Sequence, residues 1–77
     1  MSKYNPTDDE MNNVGHNFKY HPPKDDQPER YNKLRNMAQQ LAYEYMLNAP
    51  KSRELSLALT NLEQSIMWVN AAIARNE

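Results

Sequence analysis

The chain has no cysteine, which removes disulfides and thiolate metal sites together. It has one glycine, Gly15, and one glycine cannot build a phosphate-cradling loop. Its two histidines, His16 and His21, are too few for a structural zinc without acidic help, and no carboxylate pair sits at a useful offset from them. No apolar run approaches the roughly 20 residues of a membrane helix, and no charged-then-apolar leader for export is present. Those absences predict a soluble, cytosolic protein. Neither sign of charge prevails: 9 basic and 10 acidic residues leave a net charge of −1. Residues 1–28 carry three lysines against five acids, and residues 29–77 carry six basic residues against five acids. Neither half is a basic surface that would grip a long nucleic-acid backbone. A small anionic ligand held by a few convergent cations remains compatible with this balance.

Catalytic chemistry is also poorly supplied. The histidines lie in a polar segment and nothing marks a nucleophile, so no Ser-His-Asp arrangement is credible. Asp8-Asp9 and Asp25-Asp26 read as solvated caps. The residues argue against an enzyme, with no catalytic residue, no metal and no cofactor expected.

What the chain does have is a heptad seam. Leu55, Leu59, Leu62, Ile66, Val69 and Ile73 recur at spacings of four, three, four, three and four, which predicts a helix lying along another helix. Ser52 precedes it as N-cap and Glu54 falls in its first turn, where negative charge suits the helix dipole. A second seam steps through Tyr31, Leu34, Ala38, Leu41 and Tyr45. It predicts a helix of about 27–47, with Asp26 as N-cap and Pro28 in the first turn. Pro50 disfavours helix at Ala49, so the first helix stops there and the second runs over about 52–75. So short a connection forces an antiparallel hairpin.

Ahead of the hairpin lies a stretch of different composition. Residues 1–28 contain four of the five prolines, the single glycine and many Asn and Asp residues. Thr7 and Glu10 form a capping-box pair, which predicts one helical turn near Thr7–Asn12. Phe18-Lys19-Tyr20-His21-Pro22-Pro23 predicts an extended segment with two aromatics on one side. The organisation expected is a flexible arm over residues 1–16 and a helical-hairpin domain over 17–76.

A chain of 77 residues seldom buries enough apolar surface alone. Leu57, Met67, Trp68 and Ala71 lie off the main seam and predict an oligomer interface, with Trp68 as an anchor. The fold class expected is therefore all-α: an antiparallel two-helix hairpin with an extended N-terminal arm, assembling into a helical homo-oligomer. A polar row runs beside the seam at Arg53, Ser56, Thr60, Glu63 and Asn70. By composition it is a solvated helix face. If packing crowds the helix, those residues must find partners or line a pocket. Arg53 would bring a planar donor fork to phosphate, and Phe18 and Tyr20 would offer stacking surfaces to a base.

Several segments together resemble one family. They are Phe18-Lys19-Tyr20-His21-Pro22-Pro23, the helix through Tyr31, Leu34 and Arg35, the run Ser52-Arg53-Glu54 to Thr60-Asn61-Leu62-Glu63, and Met67-Trp68-Val69-Asn70 to Arg75. They resemble the helical-hairpin domain of phage anti-CBASS and Thoeris anti-defence sponges over about residues 17–76. The resemblance implies a homo-oligomer, a hexamer, with pockets between protomers that hold cyclic nucleotide immune signals without cleaving them. It implies ligand contacts at Tyr20, Arg35, Arg53, Thr60 and Asn70, beside Phe18 and Ser56 from the reading above. Lacking a β-sheet segment before the hairpin, the chain is nearer the compact anti-CBASS form. Leu59 stands where those members carry a basic residue, which leaves the particular cyclic nucleotide open. The alternative, from another class, is a small helical-hairpin interaction protein that self-associates or binds a partner helix through Leu57, Met67, Trp68 and Ala71.

Overall fold

The computed structural model describes residues 3–77. They form three helices in chain order, α1 (Asp8–Phe18), α2 (Gln27–Asn48) and α3 (Arg53–Asn76), and among the described residues there is no strand. α2 and α3 pack along one another as the hairpin, and α1 touches that pair only lightly.

Each end of the hairpin follows from local chemistry. Ser52 caps α3: its Oγ accepts the Leu55 N–H at 3.1 Å, and Glu54 lies in the first turn. Ala49 leaves α2 in an extended conformation directly before Pro50. The start of α2 departs from expectation. Asp26 occupies the N-cap position but makes no capping hydrogen bond, and its carboxylate instead pairs with Arg30 at 3.2 Å, one turn along. Pro28, which has no N–H to satisfy, suits the exposed first turn.

The seam holds with two exceptions. Leu55, Leu59, Leu62, Ile66 and Ile73 of α3 are half-buried against α2, as are Tyr31, Leu34, Ala38 and Tyr45 on the other side. Leu41 and Val69, expected inside, are exposed, and Ala42 and Asn70 take the half-buried places beside them. Tyr45 and Ile73, one turn further on, are half-buried again, so Leu41 and Val69 stand at the margin of the contact line rather than beyond a shifted one.

A second correction concerns the arm, which is not extended throughout. The Thr7–Glu10 capping box forms in both directions, with Glu10 N–H donating to Thr7 Oγ1 at 3.1 Å and Thr7 N–H to Glu10 Oε1 at 2.9 Å. It starts a helix of 11 residues rather than one turn, ending at Phe18. The Thr7 N–H, followed by the Thr7 side chain, holds the Glu10 carboxyl below its usual range by favouring the ionised form. The extended backbone expected over 18–23 begins after Phe18, at Lys19.

No apolar side chain among the described residues is fully buried. The radius of gyration is 17.5 Å, against about 11–12 Å for a compact chain of this length. The shape is a thin slab of 52 × 37 × 13 Å, one helix layer deep. A lone hairpin therefore leaves the outer faces of both helices in water.

Candidate ligand-binding site

Four of the five residues in the polar row keep their expected geometry, and Asn70 departs from it. Arg53, Ser56, Thr60 and Glu63 recur at three and four residues and form one exposed stripe along α3. Arg53, the first residue of α3, makes no ion pair or side-chain hydrogen bond among the described residues. The Ser56 hydroxyl donates back to Ser52 O at 3.2 Å.

Arg35 stands across the hairpin from this stripe. It lines an open groove of about 610 Å³ between α2 and α3, together with Gln39, Met46, Leu59, Glu63 and Met67. Ala38 and Ala42 also line it. Arg35 donates to Asn32 Oδ1 at 2.9 Å, and Glu63 is not its ion-pair partner. A cation, an amide and a carboxylate thus share one largely apolar trough. Sequence reasoning placed Arg35 and Glu63 separately but missed the groove, because its walls come from two helices. A second open groove, of about 620 Å³, lies at the hairpin tip between Tyr45, Leu55 and Ala58.

Asn70 is half-buried on the seam side of α3, and its Oδ1 is buried without a hydrogen-bond partner. Such an acceptor costs free energy until a donor reaches it. Leu57, Met67 and Trp68 are exposed, Trp68 at 68%, and Ala71 is half-buried.

The aromatics stand elsewhere. Phe18 closes α1 at 87% exposure, and Tyr20 follows in extended backbone at 77%. Both belong to the open end of the hairpin, because the His16 ring Nε2 bonds Arg75 O at 2.8 Å. The His21 ring Nε2 bonds His16 O at 3.0 Å, and the two rings meet edge to face with centroids 4.6 Å apart. From Arg53 to Arg75 α3 climbs about 33 Å at 1.5 Å per residue. One protomer therefore does not bring Tyr20 and Arg53 to the same place.

The open end also carries a polar cluster that sequence reading missed. Arg30 Nη1 donates to Glu77 Oε2 at 2.8 Å and its Nη2 donates to Glu77 Oε1. Gln27 Nε2 donates to Oε1 at 3.1 Å, and Lys24 Nζ donates to the Glu77 backbone oxygen at 2.6 Å. The Arg30 fork, followed by the Gln27 amide, holds the Glu77 carboxyl down to about 2 from an ordinary 4.5. The same contact raises the Arg30 guanidinium further above its already high value. A depressed carboxyl stabilises the fold above its unfolded value, and that contribution disappears as pH falls through the folded one. Wild type should therefore melt slightly higher than Glu77→Gln at pH 5, and the gap should close between pH 4.5 and 2. The effect is small because exposed pairs contribute little. Parallel melts that keep a constant gap down to pH 2 would remove the ion pair from the account.

Among the described residues, no group of three or more His, Cys, Asp or Glu side chains is placed to hold a metal ion. Nor is any described helix long and apolar enough to cross a membrane.

The described residues thus form an antiparallel helical hairpin with a polar stripe, an open groove and uncovered apolar faces. A family model described as Acb2/Tad1, hairpin domain, matches residues 11–74, from within α1 to the last turn of α3. The chain belongs to that family, the anti-CBASS and Thoeris anti-defence sponges. No curated protein and no solved structure matches it.

Proposed function

We propose that the chain is a phage anti-defence protein that binds cyclic nucleotide immune signals in the host cytosol and sequesters them without cleavage. CBASS or Thoeris effectors then stay unactivated. Family membership supports the class of ligand. One observation supports the mechanism: the candidate site is divided. The aromatics Phe18 and Tyr20 are at the open end, while Arg53, Ser56 and Thr60 are toward the tip, about 22–33 Å along α3 from Arg75. Two copies laid antiparallel bring the open end of one beside the tip of the other. Tyr20 then stacks on a base while Arg53 and Arg35 meet phosphate oxygens, and Ser56, Thr60 and Asn70 supply neutral hydrogen bonds.

The same assembly covers the apolar faces. Leu57, Met67, Trp68 and Ala71 become contacts between copies in a homo-oligomer, a hexamer on the family resemblance. Symmetry repeats each cation around a pocket, which offsets a net charge of −1. A sponge works by stoichiometric capture and needs nanomolar affinity, about −12 kcal/mol. A rigid cyclic ligand loses little freedom on binding, which keeps that strength within reach.

Native mass spectrometry with a panel of cyclic di- and trinucleotides and cyclic ADP-ribose forms tests subunit number and bound mass together. The expected spectrum is one oligomer carrying a fixed number of ligands, each recovered unchanged after denaturation. An oligomer that takes up none of the panel would leave the partner-helix reading standing instead. Ligand recovered as linear product would make the protein a phosphodiesterase.

A further inference from the structure

Gln27 is the one fully buried residue among those described, at 2% exposure, and it is polar. Its side chain joins three segments. Oε1 accepts the Lys24 N–H at 3.1 Å, Nε2 donates to Glu77 at the end of α3, and its own N–H closes on Lys24 O at 3.0 Å. Between Lys24 and Gln27 the chain turns a corner in which Asp25 has φ 53°. That is the left-handed region, which costs a residue with a Cβ and persists where surrounding contacts require it.

Upstream of the corner stand Pro22 and Pro23, each with φ locked by its ring. His21 is tied back to α1 through its bond to His16 O. The path from the corner to Tyr20 therefore has few free rotations. Tyr20 itself is largely exposed and makes no side-chain hydrogen bond among the described residues. Its placement depends on the segment that carries it.

We infer that Gln27 is a positioning residue: by holding the Lys24–Gln27 corner against the end of α3, it sets where Tyr20 stands. The inference rests on the proposed role of Tyr20 as a ligand contact. Gln27 acts only through the corner and is not itself a ligand contact. Leucine at this position fills similar space but leaves the Lys24 N–H without its partner and Glu77 without one of its donors.

The test is Gln27→Leu in the full chain, with Glu77→Ala as a second variant should the first lose helicity. The Lys24 and Gln27 backbone amides, which close the corner, should exchange at least ~10-fold faster in Gln27→Leu, and more modestly so in Glu77→Ala, while amides in the middle of α2 and α3 keep their rates. Affinity for cyclic GMP–AMP or another bound member of the panel should fall with them. Tyr20→Ala should then weaken binding far less in the Gln27→Leu background than in wild type, which a merely structural role would not produce. Unchanged exchange at the Lys24 and Gln27 amides, or a Tyr20→Ala loss of equal size in both backgrounds, would overturn the inference. Absence of any ligand for wild type would sink the proposed function, and the exchange rates would still decide whether Gln27 holds the corner.

Discussion

Trp68→Ser is expected to lower the subunit number and, in the same sample, to remove cyclic nucleotide binding. The ring is 68% exposed on the isolated chain, so its loss leaves the contact between α2 and α3 untouched. Helicity at high concentration should therefore persist. Between copies the situation reverses. A tryptophan can bury about 150–250 Å² and serves as an anchor, on the order of 2–4 kcal/mol per interface. That corresponds to roughly 30- to 1,000-fold weaker association at each contact, since about 1.4 kcal/mol is tenfold. Sedimentation velocity over a range of concentrations measures the first effect and calorimetry the second. A variant with wild-type mass and wild-type affinity would place Trp68 outside the interface. A variant with wild-type affinity and reduced mass would show that a pocket forms within one chain, contrary to the divided site.

Arg53→Ala should act on the other half of the site and leave the oligomer alone. Arg53 begins α3 with its guanidinium committed to no ion pair among the described residues. Ser52 caps the helix through its own hydroxyl, so truncating Arg53 does not undo the helix start. A charge-assisted contact to phosphate is worth about 1.5–3 kcal/mol, which corresponds to roughly 10- to 150-fold in affinity. Lysine at the same position should recover part of the charge but not the forked geometry. Calorimetry on Arg53→Ala and Arg53→Lys with unchanged sedimentation gives the comparison. Full affinity in Arg53→Ala would remove this side chain from the phosphate site and leave Arg35 as the main candidate.

The hairpin was legible because each of its causes is local or periodic. Ser52, Pro50 and the short connection between α2 and α3 set its turn, and the leucine spacing sets the inward faces. The capping box at Thr7 and Glu10 was legible as well, but the length of α1 was not. Residues 13–18 carry no strong apolar period, and the helix propagates from its cap through Phe18 regardless. Leu41 and Val69 stand exposed because a repeat marks which face turns inward but not how far the neighbouring helix covers the margins of that face. Lys24, Gln27, Arg30 and Glu77 gave no signal at all, since the last lies 47 residues or more from the others in sequence.

The candidate site divides along the same line. The stripe from Arg53 to Glu63 follows from spacing alone, because i, i+3 and i+4 share a face wherever the helix lies. The groove shared by Arg35 and Glu63 does not, because it exists only once α2 and α3 are laid side by side.

By itself the order of residues determined two amphipathic helices, the turn that folds them together and the stripe of polar groups along one of them. These depend on backbone sterics, capping and repeat period, all of which act within a few residues. Tertiary structure alone decided that Tyr20 and Arg53 lie at opposite ends, that Gln27 joins three segments, and that Asn70 replaces Val69 beside the seam. Those outcomes depend on which distant side chains meet when the helices pack, and contact between distant residues has no period to read.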